Sequence, residues 1–95
     1  MRYIIEVYAR LNRVYYFYPS SYGNIMTDDL WKAIGYGFKT IEGAEKFFNE
    51  EKESFRELFK ECVILAVKIV GVSCSMENAC MLVPYKERFE VKKHE

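Results

Sequence analysis

Most of the residue types that catalytic sites need are scarce in this sequence. Its 95 residues include a single histidine, His94, which is next to the last residue of the sequence and far from any candidate nucleophile. A serine or cysteine nucleophile needs a base to activate it. The segment "GYGF" lacks the length and the following lysine of a phosphate-binding loop. No two carboxylates occupy core-facing positions that would drive their acidities apart. The sequence therefore predicts a protein that is not an enzyme.

Cysteine is also scarce, and its spacing is uninformative for metal binding. Cys62, Cys74 and Cys80 form no Cys-x-x-Cys pair, and with His94 they do not match the spacing of a zinc site. We therefore expect no metal and no cofactor. An odd number of cysteines favours a reducing compartment, the cytoplasm of the cell or of a host if the protein is viral. A bridge between Cys74 and Cys80 is geometrically conceivable but unusual there.

The sequence has neither a long apolar run nor an excess of charge of one sign. The longest nearly apolar run, "VILAVKIVGV", is too short to cross a bilayer and contains Lys68, so we expect no membrane partner. Fourteen basic and fourteen acidic residues cancel, which leaves no overall field to attract nucleic acid. With 51% hydrophobic residues, the chain can bury the core of one domain over residues 1–95 without disulfides.

Two strands are predicted near the start of the sequence. "RYIIEVYAR" and "RVYYFY" are rich in β-branched and aromatic residues, and a two-residue turn at Leu11-Asn12 would join them. This turn places Arg10 opposite Arg13 and Tyr8 opposite Tyr15. After it, "PSSYGN" is expected to be a loop, because its proline cannot donate a hydrogen bond to a neighbouring strand.

Two helices are predicted in the middle of the chain. "TDDLWKAIG" suits a short helix with Thr27 as N-cap and Gly35 at its end. A second helix is expected to begin at Thr40 and to run to about Cys62, since its apolar positions follow the 3.6-residue period. Glu51 falls in the apolar sector of that helix. Two explanations are open: a break near residue 49, which we favour, or a buried partner for Glu51 such as residue 68.

The remaining segments predict two more strands. "VILAVKIVGV" is apolar at nearly every position, which is typical of an interior strand covered on both faces. "CMLVPYKERFEVKK" favours an edge strand with a bulge or break at Pro84. The predicted fold is a single α+β domain of order β-β-α-α-β-β, with a four-stranded, mainly antiparallel sheet and helices on one face.

What is abundant is aromatic residues, and they suggest a binding surface. The nine residues from Val14 to Tyr22 include four tyrosines and a phenylalanine. In the predicted register Tyr8, Tyr15 and Phe17 share a sheet face with a glutamate, so we assign that face to solvent. An exposed aromatic patch indicates a protein interface, with another protein or in a homodimer. The predicted contact residues are Tyr8, Arg10, Arg13, Tyr15, Phe17 and Tyr22.

Other uses of the same face are open. The C-terminal strands could cover it, or it could stack the bases of single-stranded nucleic acid, with the nearby arginines holding phosphates. Nucleic acid ranks below a protein partner because the net charge of the chain is zero and affinity for phosphate depends on cationic contacts.

The run from Trp31 to Phe48 carries a short motif, aromatic-x-Thr-x-x-x-Ala, formed by Phe38, Thr40 and Ala44, with Phe47 beside it. This motif resembles the helix entry of many small proteins encoded by phages and other mobile elements. The resemblance implies that the aromatic ring packs under the sheet, that the threonine caps the helix and that the alanine allows close packing. Many such proteins are inhibitors of host defence, anti-CRISPR proteins among them, so the resemblance implies an inhibitor of a host protein.

Overall fold

The described part of the chain folds into a five-stranded antiparallel sheet with three short helices, which confirms the α+β class. The structure is a computed structural model; it describes the backbone of residues 2–74 and 82–91 and the side chains of residues 2–72. In chain order the elements are β1 (Arg2–Ala9), β2 (Arg13–Ser20), β3 (Gly23–Thr27), α1 (Leu30–Gly35), α2 (Ile41–Glu50), α3 (Lys52–Leu58), β4 (Ile64–Cys74) and β5 (Leu82–Val91). The strand order across the sheet is β3-β2-β1-β4-β5.

The fifth strand arises where the sequence predicts a loop. β2 continues through Pro19 to Ser20, and a tight turn at residues 21–22 leads directly into β3. The Ser20 hydroxyl stabilises this turn by accepting from the Tyr22 amide at 3.1 Å and donating to the Gly23 carbonyl at 2.8 Å. Gly23 has a φ of 113°, which L side chains rarely adopt. The prediction of four strands is therefore wrong by one strand, because serine and glycine close a hairpin that proline does not prevent.

The predicted register between β1 and β2 is also wrong, by one residue. Tyr8 pairs with Val14, and Tyr15 pairs with Val7. The reason is that the connection has three residues, Arg10 to Asn12, and not two. Arg10 lies in this loop and donates its backbone N–H to the Val63 carbonyl at 3.2 Å. Because side chains alternate between the faces of a strand, an offset of one residue exchanges the faces of every residue in β2 relative to β1.

Helices cover both faces of the sheet, and not one face as predicted. α2 and α3 cover the main core, and α1 covers a smaller core on the opposite face. The main core consists of Ile5, Val7, Phe17, Ala44, Phe48, Phe55, Phe59, Val67 and Ile69. The smaller core consists of Ile4, Tyr16, Tyr18, Ala33, Val70 and Val72. Both faces of β1, β2 and β4 carry large apolar side chains, so each face needs a helix to exclude water.

The first helix begins two residues later than predicted. Its N-cap is Asp29, whose carboxylate accepts from the backbone N–H of Trp31 at 3.0 Å and of Lys32 at 3.4 Å. Thr27, the predicted cap, instead accepts from the Asp29 amide at 3.1 Å and so orients the true cap. The predicted end of the helix at Gly35 is confirmed.

The start of the second helix is confirmed. Thr40 is the N-cap of α2, and its hydroxyl accepts from the Gly43 amide at 2.9 Å. Ala44 is fully buried against the sheet, and Phe38 packs against the same core. The three residues of the aromatic-x-Thr-x-x-x-Ala motif therefore occupy the local positions that the resemblance implies.

The second helix is broken at Glu51, which confirms that the helix breaks, the explanation favoured over a buried partner for Glu51. The predicted break near Asn49 lies two residues earlier than the observed junction, where α2 ends and α3 begins. The Glu51 carboxylate accepts from the Asn24 side-chain amide at 2.7 Å, which ties the junction to β3. The partner that the structure gives to Glu51 is thus Asn24 and not Lys68. α3 ends before Cys62, the predicted end of the helix.

The two C-terminal strands have the predicted positions in the sheet. β4 is an interior strand between β1 and β5, and β5 is an edge strand. The pairing of β4 with β5 shifts between Val70 and Val72, next to Pro84, which is the expected irregularity. Cys80, His94 and a bridge from Cys74 to Cys80 lie outside the described residues or side chains.

The chain crosses from one face of the sheet to the other beside Tyr3. Tyr3 and Phe38 exchange two backbone hydrogen bonds of 2.8 and 2.7 Å, at a point where β2 no longer pairs with β1. Gly37 precedes this bridge, and a Cβ atom on it would lie 2.9 Å from the Arg2 Cβ and 3.1 Å from the Ile34 carbonyl oxygen. The crossover is therefore too narrow for a side chain at position 37.

We expect Gly37→Ala to lower the free energy of unfolding by about 1–3 kcal/mol, because backbone and Cβ atoms must move to admit the methyl group. The matched control is Gly35→Ala, since a Cβ there would meet no atom within 4 Å. That control should leave stability unchanged or raise it by up to about 1 kcal/mol, as alanine does at a helical position. Urea denaturation followed by circular dichroism measures both; equal stability of the two variants would contradict the crowded crossover.

Candidate functional site

The six predicted contact residues do not form one patch. Phe17 is fully buried, Tyr15 is half-buried on the same face, and Tyr8 lies on the opposite face of the sheet. Tyr22 is 97% exposed, but it lies in the turn between β2 and β3, at the far end of β2 from Arg13. The one-residue error in register is the physical reason for this dispersal.

Phe17 is the centre of the main core and not a surface residue. The centroid of its ring lies 5.2 to 6.5 Å from the centroids of four other phenylalanine rings. These are Phe47 and Phe48 of α2, Phe55 of α3 and Phe59, which follows α3. These are favourable aromatic pair distances, and most of the pairs are edge-to-face. The prediction that Tyr8, Tyr15 and Phe17 share an exposed face is therefore wrong.

Three of the predicted residues do come together, at the end of the sheet where β1 turns into β2. Arg10, Arg13 and Tyr15 border an open cavity of about 250 Å³. The other residues that border it come from the turn itself and from the segment between α3 and β4; they are Ala9, Leu11, Glu61, Cys62 and Val63. We call the side chains of Arg10, Leu11, Arg13, Tyr15 and Val63 the hairpin-end surface.

Leu11 is the most unusual residue of the hairpin-end surface. Its φ is 63°, in the left-handed region, where a branched residue such as leucine is rare. Its side chain is 86% exposed, so burial does not compensate for the strained backbone. The next residue, Asn12, has a φ of 58°, but asparagine adopts this conformation readily. A large apolar side chain is thus held in solvent at a position where the fold would favour glycine or asparagine.

The charged groups around Leu11 are two arginines, Arg10 and Arg13, and one carboxylate, Glu61, which borders the same cavity. Arg13 donates to the Tyr15 hydroxyl at 3.3 Å, and this hydrogen bond raises the pKa of the guanidinium. The Tyr15 ring also packs edge-to-face on Phe59, with the centroids 6.0 Å apart. Tyr15 is therefore held by the core on one side and presents its hydroxyl beside Arg13 on the other.

A second opening lies beside the same two residues. An open cavity of about 380 Å³ is bordered by Arg13, Val14, Tyr15 and Asp28. It forms because β3 pairs with β2 only as far as the Tyr16 pair, so residues 13–15 of β2 have no strand on that side in the described part of the sheet. Arg13 and Tyr15 thus lie between two concave regions, a geometry suited to contacts with an irregular partner surface.

Val63 and Leu65 are surface residues that sequence reasoning missed. Both are about half exposed, at 50% and 53%. The sequence pattern assigned them to a strand covered on both faces, because an unbroken apolar run does not distinguish its covered end from its uncovered end. No signal in the sequence alone identifies the uncovered end, since the coverage depends on where α1 and α3 stop.

The sheet face that α1 packs against also carries a polar cluster, whose groups contact one another within the chain. Glu6 lies between Tyr16 and Lys68 in the register of the sheet. The Tyr8 hydroxyl donates to the Glu6 carboxylate, and the Lys68 ammonium lies 5.5 Å from the centroid of the Tyr8 ring. Burial raises the pKa of Tyr16, and the negative charge of Glu6 raises it further. The cluster therefore stabilises the neutral phenol of Tyr16.

Leu11→Gly should raise the free energy of unfolding by about 0.5–1 kcal/mol, because glycine adopts a positive φ without strain and little packing is lost. Asn12→Gly, at the adjacent residue with the same backbone conformation, should give a smaller gain. Chemical denaturation of both variants measures the difference. A Leu11→Gly variant that is less stable than the natural sequence would show that the leucine packs on the protein.

Stability should fall as the pH rises above about 10, the pKa of an unburied tyrosine. The folded-state pKa of Tyr16 is raised, so its contribution is present below that pH and is lost as the pH passes the folded-state value. Tyr16→Phe removes this contribution and should flatten the decline. Tyr22→Phe, at a side chain that is 97% exposed, should leave the decline unchanged. Denaturation at pH 8 and in the alkaline range measures the slopes; identical slopes for the natural chain and Tyr16→Phe would contradict the assignment.

Comparisons with known proteins add no relative: the chain matches no protein-family model, no curated protein and no solved structure. Over the residues that the structure describes, no helix is long and apolar enough to cross a membrane. The same part of the chain contains no group of three or more histidine, cysteine, aspartate or glutamate side chains arranged to hold a metal ion.

Proposed function

We propose that this protein is a non-catalytic binding module that recognises another protein through the hairpin-end surface. The observation that carries the proposal is Leu11, a branched apolar residue that is both exposed and held at a positive φ. Backbone strain of this kind persists where a specific side-chain position is needed, and it is a recognised feature of binding sites. Stability alone would favour glycine or asparagine at this position.

The surroundings of Leu11 have the composition of a protein interface. Interfaces are enriched in tyrosine and arginine, and a few such residues near the centre of an interface supply most of its binding energy. Leu11 projects from the turn between Arg10 and Arg13, and Val63 extends the apolar area on the neighbouring strand end. The expected partner surface has an apolar socket for Leu11 with carboxylates at its rim to pair with the two guanidinium groups.

The sequence also suggested binding of single-stranded nucleic acid and inhibition of a host protein, and these two hypotheses are supported to different degrees. Recognition of single-stranded nucleic acid required a stacking platform of Tyr8, Tyr15 and Phe17, but Phe17 is buried and Tyr8 lies on the opposite face. Inhibition of a host protein by a protein of viral or mobile-element origin rests on the resemblance at Phe38, Thr40 and Ala44. That resemblance is compatible with the proposed binding, since an inhibitor of this kind acts by occupying a surface of its target.

The proposal is tested by comparing what matched variants capture from cells. The protein carries a photo-crosslinking residue either at position 11 or at position 22, and crosslinked partners are identified by mass spectrometry. Position 22 is the control because Tyr22 is equally exposed but lies at the other end of β2. We expect a defined partner to crosslink from position 11 and not from position 22.

Purified partner then allows the affinities to be measured. Leu11→Gly and Arg13→Glu should each weaken binding by about tenfold or more, the loss expected for a central interface residue. Tyr22→Ser should bind like the natural protein. Because Leu11→Gly is expected to be the more stable protein, its loss of binding would not come from unfolding. Equal binding by all variants, or crosslinking of a foreign protein from position 22 alone, would contradict the proposal.

A further inference from the structure

The two edges of the sheet differ in how they are protected from pairing with another strand. β5 contains Pro84, an irregular register and charged residues over 86–88, all of which discourage pairing at an edge. β3, with the sequence "GNIMT", contains no proline and no charged residue, and its register with β2 is regular throughout. β3 is therefore the unprotected edge of the described sheet.

The backbone groups on the outer side of β3 can be identified from its pairing. Pro19, which has no N–H, is opposite Asn24, so the hydrogen-bonded pairs of β2 and β3 fall at the alternate positions, which include Ile25. The N–H and C=O groups of Asn24 and Met26 then point away from β2. No hydrogen bond from these backbone groups to another described residue is present in the structure.

We infer that β3 pairs with β3 of a second copy of this chain, in an antiparallel register centred on Ile25. In this register Asn24 of each copy is opposite Met26 of the other, so the outward N–H and C=O groups of both residues form hydrogen bonds across the two-fold axis. The two sheets then join into one continuous ten-stranded sheet. The association is independent of the hairpin-end surface. That surface lies at the start of β2, beyond the Tyr16–Thr27 pair that ends the pairing of β2 with β3.

β3 is complementary to itself, because the two-fold register brings the outward backbone groups of Asn24 opposite those of Met26, and no charge opposes this pairing. β3 carries no charge, so a two-fold pairing places no like charges opposite each other. The same register places Asp28 opposite Tyr22 of the second copy, so the aspartates that follow β3 do not meet their own equivalents. The net charge of the chain is zero, and copies of a neutral protein do not repel each other at long range.

The expected dimer is reversible. A pair of five-residue strands buries less surface than the roughly 1,200–2,000 Å² of a standard stable interface. Its population should therefore rise with protein concentration over the accessible range. A permanent dimer would need further contacts besides the strand pair.

The test uses a variant that removes one outward N–H and a control that keeps it. Met26→Pro deletes the N–H, and proline is accepted in an edge strand when its nitrogen faces outward. Met26→Ala loses the same side-chain packing but keeps the N–H. Light scattering on a sizing column, at several loading concentrations, should show concentration-dependent dimers for the natural chain and Met26→Ala, and monomers for Met26→Pro.

Two outcomes would overturn the inference: a natural chain that stays monomeric up to its solubility limit, or a folded Met26→Pro variant that dimerises like Met26→Ala. If Met26→Pro does not fold, amide hydrogen exchange of the natural chain decides. Protection of the Asn24 and Met26 amides should then rise with protein concentration, and protection that is independent of concentration would overturn the inference. Leu11→Gly should dimerise normally, which separates this result from the binding function proposed above.

Discussion

The pairing of β1 with β2 determines the character of every surface of this protein. The pairs Ile5–Phe17 and Val7–Tyr15 place Phe17 under α2 and α3, where phenylalanine rings from three sides surround it. The same pairing places Tyr16 beside Glu6 on the opposite face. Because β4 fixes the faces of β1, an offset of one residue would turn Phe17 to the opposite face and Tyr16 into the main core. The hydrogen bond from the Arg10 amide to the Val63 carbonyl supports the observed register from the side of β4.

The segment between α1 and α2 passes from one face of the sheet to the other, and the positions of both helices depend on this crossing. With apolar side chains on both faces of the sheet, α1 and α2 must lie on opposite sides although only a few residues connect them. The chain crosses the edge of β1 beside Tyr3. There, two backbone hydrogen bonds between Tyr3 and Phe38 take the place of hydrogen bonds to β2, which no longer pairs with β1 at this point. Gly37 admits the close approach, and Thr40 then starts α2 at once. The narrow crossing therefore converts one sheet with two apolar faces into a three-layer arrangement.

Three parts of the protein surface differ in chemistry: the polar cluster around Tyr8, the hairpin-end surface and the outer edge of β3. The polar groups around Tyr8 satisfy one another within the chain, through Glu6 and Lys68. The hairpin-end surface instead exposes Leu11 in a strained conformation beside two arginines. β3 leaves backbone groups, and not side chains, as its binding elements. Recognition of a foreign protein and association between copies would therefore use different physical interactions at different places on the molecule.

The amino-acid sequence by itself determined the local features: the strands at both ends, the Thr40 cap, the end of α1 at Gly35 and the break in the acidic helix near Glu51. Each depends on neighbouring residues, through propensity, capping or the 3.6-residue period. Of the predicted contact residues, Arg10, Arg13 and Tyr15 meet at one site, whereas Phe17 does not. Tertiary structure alone decided the register, the fifth strand and the two-sided cover, because each depends on contacts between distant segments. A register has a period of two residues, so the placement of a single loop residue, Arg10, was enough to decide which aromatic residues are core and which are surface.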